Sequence, residues 1–181
     1  MRIKRILTVF TLAACLCGAL GCSNNLPTQT YDLGQQKVVF AAPPSENWQQ
    51  DKVKNIKDEP AVVRYSAVKD PNQFIVVSST DMGGMTSWTD KSATEDLTRK
   101  LQNNIMKRSE AEIRQRETKL GGETALQLTF TYLEGTTRVW GSQVYAFHNK
   151  LLWNVSCSCP ESERNGTEKT FNNILSTFEF Q

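Results

Sequence analysis

Two closely spaced cysteines near the carboxyl end are the residues whose type and spacing could do chemistry. Cys157 and Cys159 flank a single serine. In a regular strand both thiols point to one face with Cα atoms about 7 Å apart, the outer limit for a disulfide. A bend before Pro160 would close that gap into a strained, reducible bond. We favour the interpretation that the two cysteines are buried side chains that continue an apolar row. The spacing leaves a reactive thiol pair or a disulfide as the alternative.

Metal and acid–base chemistry have less support. Two thiolates suit Cu(I), but a partner would have to complete the site. The single histidine, His148, precedes the turn formers Asn149 and Lys150, so a hairpin would place it about 20 Å from the two thiols. The chain contains no Gly-x-Ser-x-Gly, His-Glu-x-x-His or Gly-Lys-Ser/Thr motif. We therefore predict a surface histidine in a turn, no catalytic residue, no metal site and no cofactor.

A loop with large apolar side chains is the candidate surface for a protein partner. Met82, Met85 and Trp88 lie within eight residues around a Gly-Gly pair. Methionine adapts to irregular surfaces, and tryptophan is a frequent anchor in interfaces. The alternative is that Trp88 folds over the edge of the core.

The amino-terminal segment has the order of an export signal. Arg2, Lys4 and Arg5 precede an apolar run from Ile6 to Leu20, and small residues precede Cys22. The apolar run is about fifteen residues, too short to cross the hydrocarbon core of a bilayer as a stable helix. The segment therefore predicts a signal peptide over residues 1–21.

The last residues of this segment, Ala19-Leu20-Gly21-Cys22, resemble the lipobox of bacterial lipoproteins. The resemblance implies cleavage before Cys22, acylation of its sulfur and anchoring of the chain to a membrane through the acyl chains. A second match ends at Cys15, but cleavage there would leave too short an apolar core. An ordinary signal peptide is the alternative. The serine and asparagines after Cys22 resemble outer-membrane rather than inner-membrane sorting signals, which implies an anchor facing the periplasm.

The composition of the mature chain points to one near-neutral domain. Of 181 residues, the first 21 carry three basic and no acidic side chains, which leaves 18 basic against 19 acidic groups. This balance offers no electrostatic reason for a nucleic-acid partner. Residues 22–30 are polar, contain Pro27 and predict a flexible tether. The remaining residues, 31–181, are long enough for one domain with a core of its own.

Apolar periodicity predicts strands and two amphipathic helices in this domain. Ser92 and Glu95 fit a capping box for a helix that ends near Arg108. Ser162 or Asn165 would cap the second helix, whose apolar face ends at Phe178. Strands are predicted at residues 37–40, 53–56, 61–68, 74–80, 111–119, 124–133, 137–147 and 151–158. Strands with apolar side chains on both faces need a cover on each, so the fold class is α+β, an antiparallel sheet sandwiched between helices (α/β/α).

The mature chain resembles the PsbP-like family, the extrinsic photosystem II subunit and its bacterial lipoprotein relatives. The matching features are the early strand, Pro-Pro and Trp48, the Gly-Gly turn into the meander, the hairpin over residues 139–159 before Pro160, and the closing segment over residues 171–180. The resemblance implies a non-catalytic accessory or docking factor for an envelope protein complex. A thiol-based redox or copper-handling protein using Cys157 and Cys159 is the alternative. A small-ligand carrier is a third interpretation, for which no polar cluster is evident.

Overall fold

The computed structural model describes residues 27–32, 36–51, 62–89 and 91–181. In these ranges the chain forms ten strands, two α-helices and one 3₁₀ turn at Glu161–Glu163. The helices are α1 (Lys91–Met106) and α2 (Arg164–Thr177). The strands are β1 (Thr28–Asp32), β2 (Lys37–Ala41), β3 (Trp48–Gln50), β4 (Val62–Ala67), β5 (Phe74–Asp81), β6 (Ser109–Leu120), β7 (Glu123–Glu134), β8 (Thr137–His148), β9 (Leu151–Pro160) and β10 (Glu179–Phe180).

Seven of the strands form one antiparallel sheet in the order β3-β4-β5-β9-β8-β7-β6. The four strands from β6 to β9 form a meander whose turns contain two residues each. Asn149 and Lys150 both have positive φ (48° and 66°), as does the Gly121-Gly122 pair, which suits the twist of a tight hairpin. In the last hairpin Cys157 lies opposite Ser142, and β6 lies at an edge, as its charged side chains predict.

Two apolar clusters fill the two faces of this sheet. Helix α1 covers one cluster with Leu97, Leu101 and Ile105, which pack against side chains of β6, β7, β8 and β9. Helix α2 and the small sheet β1-β2-β10 cover the other, which contains Trp140, Trp153 and Phe171. The predicted α/β/α sandwich is therefore correct, with the addition that a second sheet shares one layer with a helix.

Three short strands were not predicted, and each is held by pairing with distant residues. Thr28–Thr30, assigned above to the tether, belong to β1, which pairs with β2. Strand β10, which follows the predicted end of the last helix at Phe178, also pairs with β2. Strand β3 pairs with β4. The strand predicted at residues 53–56 lies outside the described residues.

The predicted helix caps are wrong. Helix α1 begins at Lys91, so Ser92 lies within its first turn instead of before it. Helix α2 follows the 3₁₀ turn directly, with Glu163 at the N-cap position and no hydrogen bond from its side chain. On the exposed face of α1, Arg99 pairs with Asp96 at 2.6 Å, three residues earlier.

Candidate functional site

The two cysteines of the carboxyl-terminal hairpin lie in the core beneath α2. Cys157 and Cys159 are each 1% exposed and continue the inward row of Trp153 and Val155 along β9. Both carry free thiols in the structure. Burial raises the pKa of the Cys157 thiol well above its ordinary value, partly offset by a hydrogen bond to the backbone of Ser142. Because the thiolate is the reactive form, this environment suppresses thiol chemistry.

Burial also raises the pKa of the Cys159 thiol, and a hydrogen bond with Thr167 lowers it in part. The charge of Arg164 also lowers the pKa of the Cys159 thiol, but burial outweighs it, so neither thiol has the lowered pKa of a reactive cysteine. Among the described residues, no group of three or more His, Cys, Asp and Glu side chains could hold a metal ion. The geometry therefore favours a packing role for the two cysteines over a redox role. Their redox state in the protein stays a prediction.

His148 is not the surface side chain that the sequence predicts. Its ring stacks on Phe180 with centroids 4.1 Å apart and planes 7° apart. Its Nδ1 lies 2.9 Å from Oε1 of Glu123, and its side chain is 22% exposed. Strand β10 brings Phe180 to this hairpin, and a contact between residues so far apart in sequence leaves no local signal.

The predicted partner loop packs partly against the molecule itself. Met82, Met85 and Trp88 are half-buried and cover one end of the cluster beneath α1. The Trp88 indole donates to the carbonyl oxygen of Thr124 at 3.0 Å and meets the Phe147 ring edge-on at 4.9 Å. The indole thus closes the core edge, and its use as a partner surface stays a prediction.

The proposed lipid attachment residue, Cys22, lies outside the described residues. None of the helices in the described ranges is both long and apolar enough to cross a bilayer.

A polar groove beside α2 is the feature that sequence reasoning missed. Helix α2 packs mainly on β9 and β2 and leaves Arg114 and Arg116 of β6 exposed on the same side of the sheet. The result is a cavity of about 370 Å³ that adjoins a second one of about 200 Å³. Both cavities share four lining residues, Arg114, Thr129, Trp140 and Arg164. This pair of cavities is called the arginine groove below.

A buried chain of hydrogen bonds forms one wall of the arginine groove. The Arg116 Nε donates to Oε1 of Gln127 at 2.7 Å, and Nε2 of Gln127 donates to Oγ of Ser142 at 2.8 Å. Gln127 is 5% and Ser142 1% exposed, so this is a polar network in the interior of the sheet. The network orients the guanidinium of Arg116 across the groove, because one of its donors is already engaged.

The charges along the groove do not cancel. Arg164 pairs with Glu168 at 3.1 Å and lies over the Trp140 ring, with Cζ 5.1 Å from the ring centroid. Arg138, at the far end, lies 3.5–3.6 Å from three glutamates. Arg114 and Arg116 have no carboxylate partner among the described residues. The larger cavity is therefore electropositive.

The Trp140 side chain lines both parts of the groove, although it is only 1% exposed. Its indole N–H is buried and has no acceptor among the described residues, and the same is true of the Trp153 indole N–H. Because the Trp140 indole nitrogen is closed to solvent, this N–H is not counted among the donors of the groove.

The sequence contains a weak signal for this groove. Arg114 and Arg116 occupy alternate positions of β6, as Gln127 and Thr129 do in β7, so both pairs share one face. On the sequence alone they are typical of a charged edge and a solvated face. Only the position of α2 turns this polar strip into a groove.

Comparison with known proteins supports the fold and no more. No protein-family model matches the sequence, and no curated protein matches it either. The solution structure of PsbP from the cyanobacterium Synechocystis is similar over 91% of this chain and 97% of that chain, with a TM-score of 0.58 and 15% identity. LpqN, involved in cell envelope biogenesis of Mycobacterium tuberculosis, is similar over 86% of this chain and 91% of its own, with a TM-score of 0.49 and 12% identity.

The sheet and the helices identify the class of domain first. An antiparallel sheet with helices on both faces places the chain among α+β sandwiches. The match over nearly the full length of cyanobacterial PsbP then shows that this sandwich has a PsbP-like fold, as the sequence predicts.

Proposed function

We propose that this protein is a lipid-anchored bacterial envelope lipoprotein whose PsbP-like domain is a non-catalytic accessory or docking factor for an envelope protein complex. The observation that carries the proposal is a PsbP-like fold behind an export signal that ends in a lipobox-like Cys22. The tether between them would hold the domain close to the bilayer surface.

The anchor follows from the chemistry of lipid burial. Each methylene of an acyl chain buried in a bilayer contributes about 0.8 kcal/mol, so two or three chains make attachment effectively permanent. The polar residues after Cys22 favour the outer over the inner membrane in this proposal, with the domain facing the periplasm.

The docking surface in this proposal is the loop around Met82, Met85 and Trp88. The three side chains are half-buried, and the glycines and Thr86 between them are exposed. Such a loop presents a rigid backbone, because Trp88 is held by a hydrogen bond to Thr124 and by the Phe147 ring. A preorganised loop loses less conformational entropy when a partner binds.

The anchor is tested by fatty-acid labelling of the full chain expressed in a bacterium with lipoprotein processing. We expect an alkyne-bearing palmitate analogue to label the wild type and the Cys15→Ser variant, whereas Cys22→Ser loses the label and leaves the membrane fraction. Mass spectrometry of the amino-terminal peptide gives the cleavage point. A mature chain that starts elsewhere, or an unmodified thiol at residue 22, would refute the anchor.

Docking is tested by photo-crosslinking in intact cells. A photoreactive amino acid at Thr86 should give one discrete adduct, and one at Glu117, an exposed residue of edge strand β6, serves as the matched control. We expect the adduct to disappear in the Cys22→Ser background, since a detached domain no longer meets a membrane complex. Equal crosslinking from both positions, or none from Thr86, contradicts the proposed surface.

A further inference from the structure

The arginine groove has the donor set of an anion-binding site. Arg114 and Arg116 carry two positive charges without a carboxylate partner among the described residues, and both line the larger cavity. Glu168 also lines the groove, but Arg164 neutralises it at 3.1 Å. A guanidinium fork matches the spacing of two oxygens on a carboxylate or a phosphate, and such charge-assisted hydrogen bonds are the strong ones.

From this geometry we propose that the arginine groove binds a phosphate monoester. A phosphate monoester carries close to two negative charges and three acceptor oxygens, which matches the two unpaired guanidinium groups. A carboxylate carries one charge and would leave one arginine uncompensated. The proposal does not depend on the lipid anchor or on docking to a protein complex.

The size of the groove leaves room for more than the phosphate. The larger cavity measures about 370 Å³, within the range of small-molecule sites, and it opens into the second cavity of about 200 Å³. The group esterified to the phosphate would lie toward the second cavity, beside Thr129 and the Trp140 ring. Two sources share this chemistry: the head group of phosphatidic acid and a soluble phosphomonoester.

Protection of an exposed sheet edge is the simpler explanation for charges on β6. That explanation accounts for Arg114 and Arg116 as surface residues. It does not require the hydrogen bonds from Arg116 through the buried side chains of Gln127 and Ser142, which hold one arginine toward the groove. A bound oxyanion explains the two unpaired charges and the fixed guanidinium together.

The test uses the full chain in neutral detergent micelles with ¹⁵N-labelled tryptophan side chains. The probes are inorganic phosphate and dihexanoyl-phosphatidic acid, and sodium chloride at equal ionic strength controls for screening. The Trp140→Phe variant assigns the Trp140 indole resonance. We expect the probes, and not chloride, to move this resonance in a saturable way. If the Trp140 resonance moves with phosphatidic acid alone, the natural ligand is a lipid head group. If it moves with both phosphatidic acid and inorganic phosphate, the natural ligand is a soluble phosphomonoester.

Isothermal titration calorimetry with the same probes gives a second measurement that does not rely on the Trp140→Phe variant folding. Arg114→Gln and Arg116→Gln should each weaken binding about tenfold or more, since each removes a charge-assisted contact. Lys119→Gln removes the same charge from the opposite face of the same strand and should change affinity less than about twofold. Equal losses in all three variants, or no saturable binding of either probe to the wild type, would overturn the proposal.

Discussion

A single methyl group added to Gly141 should destabilise this fold, and the structure gives the reason. Gly141 lies in the middle of β8, directly opposite Phe130 of β7. A Cβ at this position would lie 2.5 Å from both Cε2 and Cζ of Phe130 and 2.9 Å from the carbonyl oxygen of Cys157. Carbon atoms pack favourably at about 3.5–4.0 Å, so Gly141→Ala forces the ring to move by about 1 Å.

The surroundings of Phe130 limit that movement. Its ring belongs to the cluster beneath α1, stacks near Tyr132 with centroids 6.1 Å apart, and is 6% exposed. The carbonyl of Cys157 lies on β9, the neighbouring strand of the ladder, and cannot retreat without distorting the sheet. Overpacking of this kind costs about 1–3 kcal/mol, whereas replacing a strand glycine by alanine recovers about 0.5–1 kcal/mol.

With the middle of each range, a cost of about 2 kcal/mol and a gain of about 0.75 kcal/mol, the expected net loss in the free energy of unfolding is about 1 kcal/mol. For a domain of this length, that corresponds to a fall of about 2–4 °C in Tm. Urea unfolding followed by circular dichroism measures the change. Gly166→Ala is the matched control, because a Cβ there meets nothing within 4 Å and the site is an exposed position of α2. This control should gain about 0.5–1 kcal/mol.

A double-mutant cycle separates the ring contact from other effects of the methyl group. Phe130→Leu removes the ring atoms nearest to the new Cβ, so its cost should be smaller in the Gly141→Ala background than in the wild type. If Gly141→Ala were as stable as the wild type while Gly166→Ala gained stability, the close approach of Phe130 would have to be wrong. If the effects of the two substitutions on the free energy of unfolding were additive, the strain would not lie in the contact between the new Cβ and the Phe130 ring.

Two further predictions concern titratable groups. Burial raises the pKa of the Tyr145 hydroxyl above its ordinary value of 10.0, so the unfolded chain loses the hydroxyl proton at a lower pH than the folded protein does. The contribution of Tyr145 to the free energy of unfolding should be complete below pH 10 and should be lost as the pH rises through the pKa of the folded protein. Urea unfolding at a series of pH values measures this loss, which should be less steep in Tyr145→Phe. The thiols of Cys157 and Cys159 should react with Ellman's reagent only slowly in the native protein, and the denatured, unreduced mature chain should show two free thiols. No free thiols in that measurement would establish a disulfide, and loss of function with intact folding after both are replaced by serine would favour the redox alternative.

Period-two and helical patterns could predict most of the fold because they report burial along one element. In β9, alternate positions from Trp153 to Cys159 face the core, as expected. Turn residues were equally informative, since Asn149 and Lys150 adopt the positive φ of a tight hairpin. The helix caps failed because a Ser-x-x-Glu spacing does not itself determine where tertiary packing starts a helix, and α1 begins before Ser92.

The candidate sites were less accessible to the sequence, because each depends on residues that only folding brings together. His148 needs Phe180 from β10, and Trp88 needs Thr124 and Phe147. A prediction from local sequence uses only the neighbours of a residue in the chain. Because the neighbours of His148 are polar turn residues, the sequence predicted a surface position for it.

The sequence by itself determined the two amphipathic helices and the inward face of most strands, and it carries the amino-terminal export pattern, because these depend on residue type and on periods of 2 and 3.6. The tertiary structure alone decided where α2 lies on the sheet. Since α2 packs mainly on β9 and β2, Arg114, Arg116 and Trp140 line one groove although up to 26 positions separate them in the chain. Shared position on a folded surface is a property of packing, which no stretch of the sequence carries alone.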